Sequence, residues 1–497
     1  MRPRPAAAKR FAARSSWNLP WFGVWLCVAL AAPAAVADPK SDTFQPDFFG
    51  TGAALQKRTP GLTDPYLRTC ELPPAALSIS SAIDLALCRN PSTRAAWAAA
   101  HEQAAALGAA ESAWLPDISG TGGAQRSFGP HQDDSGVITS SDQTTRDAAV
   151  NLSWTLYDFG NRGGRIRSAR HLLDAAAAAA NSATQQTVLG VVQTYYGVVA
   201  ADAALAAAQL TESTAQHSWE IAKALREGGV ANLADVLQSE TAYEQAVLTR
   251  VQAAQNAQSS RGALAVTLGL TANQPLKLAA EPVPDQVPAL SAHMEDLMAE
   301  AARQRPDLAA ARAQVDAAIA DITVARAAGR PSISIGAGRS YLDQSAVAGE
   351  TGTLSQKYNQ IGVNVTIPVF TGFSVGYGVR QAQAALQSRE ASEEQIRLNV
   401  SLDVWNAYYA LDSANQQLST TATLTKTADN NQDVAFGRYQ AGVGTILDVL
   451  TAQTAAATAR QLRITAELSW RVARAQLALA LGRLSGAQPL SEGGALP

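Results

Sequence analysis

The residues in this chain that could do chemistry are few, and their spacing argues against catalysis. No nucleophile is paired with a base, and Gly160, Gly163 and Gly164 fall at a strand-to-helix junction instead of in a phosphate-binding loop. Cys70 and Cys88 with His101, His131 and His171 do not make a structural metal site, so neither metal nor cofactor is expected. What does stand out is a pair of acids in identical contexts, Asp235-Val236-Leu237 and Asp448-Val449-Leu450, 213 residues apart. Each follows a glycine-containing turn, where a carboxylate suits the start of a returning helix.

That repetition extends along the chain. Asn90-Pro91 and Leu115-Pro116 return as Arg305-Pro306 and Arg330-Pro331 after 215 residues, whereas Tyr195-Tyr196 and Leu268-Gly269 return as Tyr408-Tyr409 and Leu481-Gly482 after 213. Landmarks kept in order with so little drift indicate duplication of one unit of roughly 200 residues. The spacing predicts a first unit over 77–284 and a second over 285–484, followed by a flexible tail at 485–497.

Each unit reads as a helix, two strands and two very long helices. Pro116 and Pro331 stop the first helix of each unit. Strands are expected at about 117–128 and 148–158, then 332–342 and 359–370. Val150, Leu152, Trp154 and Leu156 alternate with polar neighbours, and Ile361, Val363, Val365, Ile367 and Val369 do the same. Polar loops are expected between the strands of each pair, at Gly129–Arg146 and Asp343–Gln356. Long helices are expected at 161–227 and 232–268, then at 374–441 and 445–481. A proline-free stretch of about 65 residues spans roughly 100 Å as a helix. Helices of that length need lateral neighbours.

Strands of about 10 residues with one apolar and one small or polar face are the signature of a transmembrane β-barrel. Four strands cannot close a barrel, and an open sheet edge is not tolerated in hydrocarbon. Several copies must therefore pool their strands, and three copies would make twelve. Residues 1–37 read as an export signal: Arg2, Arg4, Lys9, Arg10 and Arg14 precede the apolar run Trp21–Ala32, and Ala35-Val36-Ala37 supplies a small-x-small cleavage site. Removing it takes the formal net charge of −3 to about −8, which gives no reason to expect nucleic acid as a partner. Cys27 lacks the small residues that precede a lipidated cysteine. In an exported chain Cys70 and Cys88 invite a disulfide. Residues 38–76, rich in Pro, Gly, Asp and Thr, read as an extended segment.

The duplicated layout, Leu156-Tyr157-Asp158-Phe159-Gly160 and Pro368-Val369-Phe370-Thr371-Gly372 after strands, and Tyr439 through Leu450 resemble the TolC family of outer-membrane efflux and secretion channels. The resemblance covers about residues 77–484. It implies a mostly α protein with transmembrane β: a homotrimeric, TolC-like 12-stranded β-barrel in outer-membrane lipid, continued by an α-helical barrel through the periplasm. It further implies that the turns holding Gly228, Gly229 and Val230, and Gly442 and Val443, lie at the periplasmic tip. There a periplasmic adaptor (membrane fusion) protein docks and an inner-membrane ABC exporter or proton-driven pump supplies energy. By the same resemblance Asp235, Tyr439 and Asp448 become gate residues, with helix capping the competing role for the two acids. Thr451 and Gly444 occupy positions where the well-known multidrug member carries charge, so a less charged constriction is expected. The implied function is an exit duct, in type I secretion of a protein such as a toxin or protease, or else in efflux of drugs, metals or small molecules. A trimeric structural protein or adhesin would share the long helices but would not need two matched strand pairs per chain.

Overall fold

The computed structural model describes residues 47–59, 70–71, 76–132, 136, 138–279, 293–345 and 354–484. The export signal at 1–37 and the tail at 485–497 lie outside them, as do 38–46, 60–69 and 72–75 of the segment expected to be extended. The chain separates into Met1–Phe48, of which only Asp47 and Phe48 are described, and Phe49–Pro497, which carries everything below.

In chain order the elements are α1 (Thr51–Arg58), α2 (Ile79–Arg89), α3 (Pro91–Glu111), β1 (Asp117–Gln132), β2 (Ile138–Tyr157), α4 (Asn161–Glu227) and α5 (Leu233–Thr267). They are followed by α6 (Met294–Gln304), α7 (Pro306–Ala327), β3 (Ser332–Gln344), β4 (Leu354–Thr366), α8 (Ser374–Gln440) and α9 (Ile446–Ala480). Helices α4 and α8 have 67 residues each and their returning partners α5 and α9 have 35 each. Sixty-seven residues at the α-helical rise span about 100 Å. Pro91 and Pro306 occupy the first turn of α3 and α7, where a missing N–H costs nothing. Asn90 caps α3 by accepting from the Ser92 N–H at 2.8 Å, and its amide donates to the Thr267 carbonyl at 2.8 Å, tying α3 to the end of α5.

The repeated Leu-Gly pairs have a physical reason. Gly269 and Gly482 end α5 and α9 with φ of 75° and 76°, and a Cβ at either would fall 2.7 Å from the Arg89 carbonyl oxygen or 2.8 Å from that of Gln304. Only a residue without a side chain combines that left-handed turn with so close an approach of the helix that ends beside it. The main cores lie around these junctions. One gathers Leu77, Ile83, Val191, Val192, Tyr195, Leu264 and Leu268; the other gathers Leu297, Val404, Leu411, Trp470, Leu477 and Leu481. The Tyr195 hydroxyl donates to the Leu77 carbonyl at 3.0 Å and lies 3.2 Å from that of Ala279, where Leu77 and Leu278 form a parallel bridge. Its counterpart pair differs, since Tyr409 is exposed at the surface of the single chain.

The strands form one antiparallel sheet in the order β1-β2-β3-β4, so β1 and β4 are edges. The register aligns Ile118, Leu152, Ala337 and Ile361 in one row and Trp154, Ile335 and Val363 in the next, all on one face. The row on the other side of Leu152, made of Ser119, Asn151, Gly338 and Gln360, lies on the opposite face.

Three features differ from the sequence expectation. Strand β2 begins at Ile138, not near 148, and its pairing with β1 runs without a break from Asp117↔Ser153 to Gln132↔Ile138. The Ser, Thr and Gln residues of that extension carry no apolar alternation, yet the backbone forms a ladder closed by a bidentate Arg126–Asp142 pair at 2.9 and 2.7 Å. Strand β4 stops at Thr366 and not at 370, because Pro368 has no N–H to donate. Finally, the segment expected to be extended contains α1, whose Leu55 is buried against Ala100, Leu107, Ile166 and Leu173 while Arg58 pairs with Asp174. Docking, not helix propensity, stabilises so short a helix.

Both strand-to-helix turns contain two successive left-handed residues, Phe159-Gly160 and Gly372-Phe373, with φ of 52° and 63° at the phenylalanines. The two rings differ in exposure, 73 % for Phe373 and 36 % for Phe159.

Candidate functional site

The two hairpins, α4–α5 and α8–α9, each reverse through a turn built in the same way. At the first, Gly229 N–H donates to the Arg226 carbonyl and Val230 N–H to that of Leu225; at the second, Gly442 N–H donates to Tyr439 and Val443 N–H to Arg438. Gly229 and Gly442 have φ of 77° and 71°, the left-handed geometry this C-terminal motif requires. Gly228 forms the C-cap of α4. Val230 and Val443, each 68 % exposed, stand at the ends of the hairpins with Leu233 and Leu447 beside them, an apolar tip with no partner within the described residues.

Asp235 and Asp448 are each the third residue of a returning helix, and each closes a capping box. Asp235 N–H donates to Asn232 Oδ1 at 2.9 Å while the Asn232 N–H donates back to Asp235 Oδ2 at 3.3 Å. At the second hairpin Asp448 N–H donates to Thr445 Oγ1 at 3.2 Å, and the Thr445 N–H and hydroxyl donate to Asp448 Oδ2 at 3.1 and 2.9 Å. These bonds satisfy donors that a helix start otherwise leaves orphaned. The hydroxyl and amide of Thr445, joined by the positive charge of Arg438, hold the Asp448 carboxyl below the usual aspartate value.

Tyr439 occupies a different environment. It is 5 % exposed and packs with Ile446 and Val449 of its own hairpin against Ile221 and Leu225 of the other. Burial pushes its hydroxyl pKa up, and the charge of Asp235 from the opposite hairpin adds to the shift. The charge of Asp235 therefore acts on Tyr439 from across the seam between hairpins, and that of Arg438 acts on Asp448.

Two contributors here carried no sequence signal that identified them. Gln453 Nε2 donates to Ser218 Oγ at 2.7 Å, joining α9 to α4 across the seam. Both residues are buried, and the Ser218 hydroxyl donates a hydrogen bond to the Thr214 carbonyl at 3.1 Å. The other is Arg438, the residue before Tyr439. Gly444 contributes no charge, and a Cβ built there would lie 3.1 Å from the Tyr439 backbone nitrogen and 3.2 Å from the Arg438 Cβ. The arginine on the preceding helix supplies the positive charge instead. Each hairpin is also clipped within itself: Trp219 stacks on Tyr243 at 5.4 Å in the first, and Arg460 bonds Asp429 at 2.6 Å in the second.

Cys70 and Cys88 are bonded to one another, with Cα atoms 6.0 Å apart. The link joins the start of the chain's described core to the last turn of α2, far in sequence from either hairpin tip, and Arg89 reinforces it by donating to the Cys70 carbonyl at 3.1 Å. Among the described residues no group of three or more His, Cys, Asp or Glu side chains could hold a metal ion.

Comparison with known proteins gives the same architecture. The outer membrane efflux protein family model matches residues 82–270 and 297–483, once per repeat. Protein CyaE of Bordetella pertussis is 31 % identical over 415 residues, covering 82 % of this chain and 84 % of its own. The pyoverdine export outer membrane protein OpmQ of Pseudomonas aeruginosa is 27 % identical over 423 residues, covering 83 % and 85 %. Among solved structures, the outer-membrane channel OprN superposes with a TM-score of 0.70 at 21 % identity, over 81 % of this chain and 89 % of its own.

Proposed function

The chain belongs to the outer membrane efflux protein family, and from that premise we propose that it is the exit duct of a tripartite apparatus dedicated to protein secretion. Members of this family are channels of the outer membrane and not enzymes, with a helical tunnel in the periplasm. The observation that carries the duct reading is a four-stranded sheet with two open edges, joined to paired 67- and 35-residue helices. Each edge needs a partner in hydrocarbon, and β1 of one copy pairing with β4 of the next closes twelve strands with three copies. The apolar rows through Ile118, Trp154 and Ile361 face lipid in that arrangement, and the row through Ser119 and Gln360 faces the lumen.

At the other end, the apolar tips around Val230 and Val443 suit the hairpin of an adaptor protein. Asp235, Tyr439 and Asp448 belong to the gate, with Tyr439 in the seam that must yield when the tips part and the acids holding the helix starts on either side of it. Protein cargo is favoured by the modest charge at the tip. Thr451 and Gly444 are neutral, which leaves Asp235 and Asp448 as the acids of the gate, each also closing a capping box. An ATP-driven exporter in the inner membrane is the pump that suits such cargo. Small-molecule efflux is the second reading, favoured by relatives such as the pyoverdine exporter.

Deleting the gene in its own bacterium separates the two. Loss of one or a few proteins from the culture medium, with drug and metal susceptibility unchanged, is the expected result. Unaltered secreted proteins together with sensitisation to small molecules would overturn the protein-secretion reading and leave the duct itself standing.

A further inference from the structure

Where the sheet meets the helices, a cavity of about 760 Å³ opens between the ends of α3 and α7, the first turn of α4 and the lower ends of β1, β2 and β3. Its strand wall is polar: Asp117, Ser153, Thr155 and Ser332 all point away from the face that carries Ile118, Leu152 and Ile361. Three arginines line it, and they are not equivalent. Arg162 is buried and fully committed. It pairs with Asp158 at 3.1 Å and donates to the carbonyls of Thr155, Leu156 and Ala113 at 2.6, 3.0 and 3.3 Å, so it is part of the wall. Asp158 in turn accepts from the Gly160 and Arg162 N–H groups at 3.3 and 2.8 Å, so it too is engaged within the wall.

The other two arginines are available. Arg165 is exposed and makes no hydrogen bond or ion pair among the described residues. Arg330 is exposed, and its one contact is a 3.4 Å donation to the Phe159 carbonyl. Against these two charges the cavity holds one uncommitted carboxylate, Asp117. With Arg162 and Asp158 neutralising each other, the cavity keeps an excess positive charge, with the whole fork of Arg165 and the remaining donors of Arg330 to offer. Its strand wall runs from Asp117 at the lower end of the edge strand β1 across β2 to Ser332 at the start of β3.

We propose that this cavity binds an oxyanion, with Arg165 and Arg330 as its two ligands and Asp117 setting an upper limit on its affinity. The ligand class is a tetrahedral or carboxylate anion, free or carried on a larger solute for which the remaining volume leaves room. Phosphate and sulfate match the bidentate geometry of guanidinium, whereas chloride does not.

Calorimetric titration of the intact, detergent-solubilised assembly with inorganic phosphate at low ionic strength tests this, with sulfate and chloride as comparators. Saturable binding of phosphate and sulfate at one per protomer is expected, with chloride much weaker. Arg165→Gln and Arg330→Gln should each weaken phosphate binding by roughly tenfold or more, the ratio for one lost charge-assisted hydrogen bond. Asp117→Asn should tighten it, because a repelling charge is removed. All three substitutions are at exposed or cavity-lining side chains, and unchanged elution and circular dichroism will verify assembly. Absence of saturable binding, or binding that is the same in the double arginine variant, would overturn the proposal. The readout is independent of cargo and conductance, so its failure leaves the duct reading untouched.

Discussion

The buried bond between Gln453 and Ser218 should control how readily the hairpins part. Gln453→Leu keeps the volume and removes the 2.7 Å donation to Ser218, whose hydroxyl retains its bond to the Thr214 carbonyl. One neutral hydrogen bond is then lost, worth about 1 kcal/mol. Ser218→Ala should cost more, about 1–3 kcal/mol, because it leaves the Gln453 amide buried without an acceptor. The double substitution removes both polar groups and should recover much of that difference, so a double-mutant cycle isolates the pair. If the tips open by sliding α4–α5 against α8–α9 in three copies at once, the loss from Gln453→Leu counts three times. About 3 kcal/mol amounts to ~100-fold in the ratio of open to closed channels. Single-channel recording in planar bilayers measures that ratio directly. A correctly assembled Gln453→Leu or Ser218→Ala channel that loses thermal stability but gates as the unaltered protein does would refute the reasoning, since the bond would then persist in both states.

Other consequences follow from the same geometry. Gly269→Ala or Gly482→Ala should lower stability by about 2 kcal/mol or more, because a Cβ meets a backbone carbonyl at a left-handed residue, and melting of the assembled protein will report it. Asp448→Asn should loosen the first turn of α9, seen as faster amide exchange there. Since Thr445 and Arg438 lower the Asp448 pKa, this cap is intact above the ordinary aspartate value and is lost as pH falls through the lowered one; exchange in the Asn variant should not respond over that range. Replacing Asp235 and Asp448 together by Ala should give larger or more frequent openings and weaker block by divalent cations. Unchanged currents in an assembled variant would leave these acids as caps alone. Cys70 and Cys88, 18 residues apart, should label with thiol reagents only after reduction, and breaking the link should cost roughly 3 kcal/mol by the loop-entropy estimate without altering conductance.

Much of this architecture is written in local residue chemistry. Proline placed at a helix start or just past a helix end acts through its own missing N–H, and the glycines at Gly269, Gly482, Gly229 and Gly442 act through their own φ, so such features are legible without knowing the fold. The period-2 alternation from Val150 to Leu156 is legible too, because one face meets an apolar medium. Where that alternation ends, the signal ends: residues 138–146 form a strand paired with β1, and nothing in their order reveals it. Helix α1 was hidden for the converse reason, since its stability comes from burying Leu55 on helices far along the chain. The seam at the tip belongs wholly to tertiary structure. A helical repeat tells which face of α4 or α9 is apolar, but not which helix it meets or at what height. Only the docking of one hairpin on the other brings Gln453 to Ser218, 235 residues away, and buries Tyr439 where the charge of Asp235 reaches it.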